Sequence, residues 1–131
     1  MSNSAPGFAR YPNHRVAITP SDRHVRVLAG SEVVADTRTP LLVEESRHDP
    51  VWYVPSADVN QGSMTPTESS TYCPFKGHAS YYTIAAGDER LEDAAWSYLS
   101  PYDECQTLAG YFAFYADRVS IEVDGGAQRP T

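Results

Sequence analysis

The sequence has a single lysine. Of its 131 residues only Lys76 carries an ammonium side chain, and the remaining basic residues are arginines. Against 17 acidic residues this leaves a net charge of −7 and a pI near 4.9. No basic stripe offsets that acidity, so a phosphate backbone is repelled and no nucleic-acid partner is expected. Long apolar runs are missing too. None approaches the roughly 20 residues that a membrane-spanning helix needs, so no membrane partner is expected. The first residues, M-S-N-S-A-P-G-F-A-R, show neither a basic n-region nor an apolar h-region, which leads us to expect a cytoplasmic protein. Cysteine is scarce. Cys73 and Cys105 are the two thiols, and in that compartment both are expected to be reduced. The four histidines, His14, His24, His48 and His78, lack metal-ligand spacing, so neither a metal nor another cofactor is expected.

Proline and tyrosine are plentiful, at ten and nine residues. Proline punctuates short elements, and tyrosine favours strands and ligand pockets. The length supports one domain with one core. Residues 1–14 carry little apolar pattern and read as an arm, loosely held or late to pack. Residues 15–124 read as the domain, and residues 125–131 as a tail.

Along the domain, V-R-V-L-A and E-V-V-A-D flank Gly30-Ser31 and predict a hairpin with Val25 and Val27 on one face. L-L-V-E-E (41–45) and V-W-Y-V (51–54) predict a second pair. P-S-A-D-V predicts one helical turn capped by Ser56. Residues 60–71, rich in Ser, Thr, Gly and Pro, read as a long loop without periodicity. Aromatic strands follow over 78–84 and 93–99, joined by A-G-D-E-R. E-C-Q-T-L-A-G (104–110) predicts a short helix closed by Gly110. Y-F-A-F-Y then places Phe112 and Phe114 on one face, and V-S-I-E-V-D places Val119, Ile121 and Val123 on another. Seven or eight short strands argue for an all-β, mainly antiparallel fold: a small curled barrel or sandwich with one or two short helical turns.

The densest chemistry lies in T-Y-C-P-F-K-G (71–77), which puts a hydroxyl, a thiol and an amine within one turn. Cys73 is a candidate nucleophile, with Lys76 and His78 near enough to activate it. A buried structural thiol is the commoner role. Lys76 is equally a candidate cation for an anionic ligand or a partner in an ion pair with Asp58 or Glu45. His78 is a candidate base or an exposed turn residue. Tyr53, Tyr81, Trp96, Tyr98 and Tyr115 are candidate walls of a pocket, although an aromatic β core explains such rings as well. Alternation forbids Tyr81 and Tyr82 from both pointing inward. Thr71, Asp58 and Arg118 complete the candidate ligand-binding set, Arg118 as a partner for Asp58 or for a ligand carboxylate.

Four segments, V-W-Y-V-P-S-A-D-V, T-Y-C-P-F-K-G-H-A-S-Y-Y, A-A-W-S-Y-L-S-P-Y and Y-F-A-F-Y-A-D-R-V, in that order, resemble the bacterial family known as domain of unknown function 427. The resemblance covers about residues 15–124. It implies a compact antiparallel β fold with a central cavity, related to the β-tent folds, and no settled reaction. Many β-tent proteins bind zinc through paired C-x-x-C motifs, which this chain lacks. A nucleotidyltransferase-like label attached to the family would require paired carboxylates for Mg²⁺. The nearest pair, Glu122 and Asp124, lies opposite the apolar face of its strand and reads as solvated surface. The expectation is therefore a small β domain that binds a small, anionic organic ligand in an aromatic-lined cavity. Two alternatives stand beside it. One is an enzyme using Cys73, Lys76 or His78. The other is an interaction module or homodimer presenting Trp52, Tyr102 or Tyr111 in one exposed patch.

Overall fold

The computed structural model describes residues 3–124 and 126–128. Along the chain the strands are β1 (Val16–Pro20), β2 (Val25–Ala29), β3 (Glu32–Thr37), β4 (Leu41–Glu45), β5 (Val51–Pro55), β6 (Met64–Cys73), β7 (Gly77–Ala86), β8 (Glu89–Ser97), β9 (Tyr111–Phe114), β10 (Ser120–Val123) and β11 (Gly126–Gln128). They form two sheets, one in the order β1-β4-β5-β9-β8-β7-β6 and a smaller one in the order β11-β10-β2-β3, with antiparallel pairing throughout. Neither sheet closes on itself, so the arrangement is sandwich-like and not a barrel.

Period-2 alternation sorts the side chains into two apolar clusters on opposite faces of the seven-stranded sheet. Phe112 and Phe114 of β9 and Val54 of β5 face the small sheet, where they meet Val25, Val27, Ile84 and Ile121. Ala113 and Tyr53, one position off, join Leu41, Val43, Tyr98, Cys105 and Leu108 on the other face. Truncating a ring such as Phe112 to alanine costs about 3–5 kcal/mol in lost burial and residual cavity. The β2–β3 hairpin forms as its sequence predicts. Val25 and Val27 are buried, Arg26 is half-exposed, and Gly30 takes φ 61° in the turn.

Four elements differ from expectation. The long loop read over 60–71 is instead mostly strand. After a 3₁₀ turn at Gln61–Ser63, β6 runs ten residues along the edge of the sheet. Its side chains are largely exposed, so no alternation marks it, and its pairing with β7 shifts register between Pro66 and Ser70. β1 is the second addition, pairing Val16–Pro20 with β4. Third, Ser56–Asp58 form a 3₁₀ turn whose cap position is Pro55, with no side-chain cap from Ser56. Likewise Asp103–Leu108 are 3₁₀ turns with a break at Cys105, and Gly110 follows at φ 81°.

The first and last described segments both bond to the rest of the domain. Residues 7–10 make a single helical turn, with Gly7 N–H donating to Pro74 O at 2.9 Å. Ala5 N–H donates to Glu104 Oε1 at 2.8 Å. At the other end β11 pairs with β10. Among the described residues no helix is long and apolar enough to cross a membrane.

Candidate functional site

The β6–β7 connection sets the site. Cys73 pairs with Gly77, leaving Pro74, Phe75 and Lys76 to turn the chain. Gly77 has φ 121°, a region that side chains avoid, and the Pro101 backbone passes close to it. Phe75 turns inward beneath the N-terminal segment. Phe8 meets its ring edge-on at 4.9 Å, and His14 stacks on it at 3.9 Å. Cys105 Sγ donates to Phe75 O at 3.5 Å, which ties the turn to the 3₁₀ segment below.

With the turn fixed, Lys76 folds back along it. Its Nζ lies 3.9 Å from Cys73 Sγ and donates to Glu45 Oε1 at the end of β4. The other Glu45 oxygen accepts from His14 Nε2 at 2.8 Å. A carboxylate only accepts, so the His14 Nε2 carries the proton. Both partners of the Lys76–Glu45 pair are almost wholly buried, with side-chain exposures of 8% and 11%. Burial pushes the Glu45 carboxyl up, but the bonds from Lys76 and His14, with the charges of Lys76 and His48, outweigh it and hold the group below its ordinary value.

Above this polar floor opens a cavity of about 560 Å³. Tyr53, Tyr81, Trp96, Tyr98 and Tyr115 form its walls, Glu45, Cys73 and Lys76 its floor, and His48, Asp49 and Pro50 of the β4–β5 turn its rim. The walls brace one another. Trp96 Nε1 donates to Tyr53 Oη at 3.2 Å, and the Trp96 and Tyr115 rings lie 4.5 Å apart. Tyr81 and Tyr115 share a hydroxyl contact at 3.2 Å, and Thr71 Oγ1 meets Tyr81 Oη at 3.0 Å. Tyr98 differs. Only 7% of it is exposed, yet among the described residues its hydroxyl has no hydrogen-bond partner. Burial raises the phenols of Tyr53 and Tyr98 well above the usual range, and raises Tyr115 to about 12. All three are neutral donors at physiological pH.

A family model for the domain of unknown function DUF427 matches residues 17–125. The chain belongs to the DUF427 family. No curated protein matches it. The DUF427 match spans every residue lining the cavity and stops short of His14, so the histidine that completes the Glu45 network comes from outside the matched segment.

Within this DUF427 domain the expected candidates divide. Cys73, Lys76, Tyr53, Tyr81, Trp96, Tyr98 and Tyr115 come together at one cavity. Thr71 sits behind Tyr81. Tyr82 points the other way, packing on Phe112 at 4.9 Å, as alternation requires. Three residues lie elsewhere. Asp58 accepts from Thr37 Oγ1 at 2.7 Å. Arg118 donates to Glu92 O at 3.1 Å. His78 is exposed, with its ring 4.8 Å from that of Tyr72. Of the two ion-pair partners weighed for Lys76, the structure selects Glu45. His14 and His48 had no signal in the sequence, because their place depends on chain pairings across the sheet.

Glu122 and Asp124, the nearest sequence match to a nucleotidyltransferase carboxylate pair, each bond to arginine. Arg26 Nη1 lies 3.3 Å from Glu122, and Arg23 Nη1 2.6 Å from Asp124. Among the described residues no three His, Cys, Asp or Glu side chains converge as a metal-binding group. Trp52 lines the outer part of the cavity, Tyr111 packs on the second apolar cluster, and the Tyr102 hydroxyl meets that of Tyr72 at 2.7 Å.

Proposed function

We propose that the DUF427 cavity binds a small organic molecule with a flat, apolar body and a head that accepts hydrogen bonds. The observation that carries this reading is Tyr98, a side chain only 7% exposed whose hydroxyl has no protein partner and keeps its accessible surface at the cavity. A hydroxyl that no protein group engages is free to bond to whatever fills the cavity, water or ligand. The volume of about 560 Å³ is within the usual range for small-molecule sites, and aromatic walls over a few polar groups are their usual lining.

The head group follows from the floor. Lys76 is neutralised by Glu45, and Arg118 is too far to help, so a carboxylate head meets less positive charge than the sequence led us to expect. A neutral carbonyl or amide oxygen accepts from Tyr98 and from a remaining Lys76 proton without that penalty. The test is a titration of the protein with benzamide and with benzoate, followed by tryptophan fluorescence, since Trp52 and Trp96 both line the cavity. We expect saturable binding, tighter for the amide, and a loss of about threefold to tenfold in Tyr98→Phe. Signals that do not saturate, or that are unchanged in Tyr98→Phe, sink the reading.

A second reading has one observation in its favour. The Cys73 thiol lies on the cavity floor, partly exposed and 3.9 Å from the Lys76 ammonium. A bound electrophile would then be attacked at this sulfur. His78 has no part in that chemistry, given its exposed position away from the floor. Incubation with an aromatic aldehyde or enone followed by intact-mass measurement tests it. An adduct that maps to Cys73 supports the reading, and an unmodified protein rejects it.

A further inference from the structure

A second cleft, of about 480 Å³, opens on the far side of the His14–Glu45 contact. One wall comes from the N-terminal segment, with Arg10 and His14, and the other from the β4–β5 turn, with Arg47 and His48. Phe75 forms its base and stacks on the His14 ring. We propose that this cleft is a binding site for the oxyanion of a small molecule, a phosphate or a carboxylate.

The charge distribution carries the inference. The chain has a net charge of −7, yet two arginines and two histidines line this one cleft, both arginines exposed and the Arg10 guanidinium 5.7 Å from the centre of the Tyr11 ring. Among the described residues neither Arg10 nor Arg47 has a carboxylate within ion-pair distance, a state they share with every described arginine except Arg23 and Arg26. Two acidic groups lie near. Glu45 is beneath His14 and already holds two partners, and Asp49 lines the neighbouring cavity. Arg47 is also one of three non-glycine residues described with a positive φ, 67°. That conformation is disfavoured for a side chain of its size and persists where the surroundings enforce it. The fork of a guanidinium matches a phosphate or carboxylate in two-pronged fashion, and two exposed arginines lining one cleft can turn their forks to a multidentate oxyanion. Phe75 is already covered by His14 and Phe8, so the half-exposed Tyr11 ring is the aromatic surface left for a flat substituent on the same ligand.

The cleft shares His48 with the rim of the first cavity, while Arg10 and Arg47 line only the cleft and supply its readout. No tryptophan lines the cleft, whereas Trp52 and Trp96 line the cavity. The full chain is titrated with inorganic phosphate, phenyl phosphate and benzoate while the guanidinium Nε–Hε resonances of Arg10 and Arg47 are followed by NMR. We expect saturable shifts of both with at least one oxyanion, and weaker binding at higher salt. The tightest of the three identifies the ligand class. Followed at the His14 imidazole, Arg10→Ala/Arg47→Ala weakens binding by about tenfold or more, and Arg10→Lys/Arg47→Lys, which keeps charge and loses the fork, weakens it in part. The lysine variant also serves if the alanine variant fails to fold. Shifts that do not saturate for any of the three, or an affinity unchanged in the substituted proteins, overturn the proposal, even where tryptophan fluorescence still reports a ligand in the first cavity.

Discussion

The Lys76 ammonium is bonded to the Glu45 carboxylate at the base of an aromatic-walled cavity, so the chain's only lysine is held by an acid 31 residues away in sequence. The pair is buried, and His14 binds the carboxylate from its other side. Removing one member leaves the other charged and desolvated. Lys76→Ala should cost about 3 kcal/mol, at the low end for breaking a buried pair because His14 still bonds Glu45. Lys76→Met/Glu45→Leu should cost less than the two single changes summed. Urea unfolding checks both. A single-variant cost below about 1 kcal/mol, the value of an exposed pair, would contradict the geometry.

Acid should weaken the fold partly through Glu45. Its carboxyl is held below the ordinary value of 4.5 in the folded state by Lys76 and His14, against the opposing effect of burial. A folded pKa below the unfolded one gives stability that is complete above about 4.5 and drains away as pH falls through the lowered value. Glu45→Gln should be less stable at neutral pH and lose less on acidification. Chemical denaturation of both proteins at neutral and acid pH measures the difference. Parallel pH profiles would show that the carboxylate is not held as described.

The two thiols should behave differently. Cys105 is fully buried, donates to Phe75 O, and is pushed up to about 11 by that burial. Cys73 is partly exposed on the cavity floor. Iodoacetamide should therefore label one cysteine in the native protein and two after denaturation, and a cavity ligand should slow the first. Native labelling of Cys105 would be inconsistent with the packing.

Two tyrosines on the cavity wall should respond in opposite ways. Tyr53→Phe removes the acceptor for Trp96 Nε1 and should lower stability by about 1 kcal/mol. Tyr98→Phe removes a hydroxyl with no protein partner and should leave the stability of the empty protein unchanged or slightly raised, while weakening ligand binding. Thermal melts with and without benzamide separate the two.

Where a strand has one dry face, the fold was legible in the sequence. Val25 and Val27, Phe112 and Phe114, and the opposed directions of Tyr81 and Tyr82 all follow from period-2 alternation. The edge strand β6 was not legible, because water covers most of both its faces and no alternation is selected. β1 escaped for a related reason, since Val16 and Ile18 are only half-buried. In the site, the rings and the Cys73–Lys76 pair were legible, being set by strand direction and one tight turn. The partners of charged groups were not. Asp58 turned to Thr37, Arg118 to a backbone carbonyl, and His14 to Glu45, choices fixed by which distant strands pair.

The most direct test of the ligand site is a crystal structure of the protein soaked with small aromatic amides. The account expects density for a flat ring between Tyr98 and Trp96, with an acceptor atom within hydrogen-bond distance of the Tyr98 hydroxyl. A cavity filled by its own side chains, or fragments bound only elsewhere while the Tyr98 hydroxyl bonds to a protein group, would contradict it.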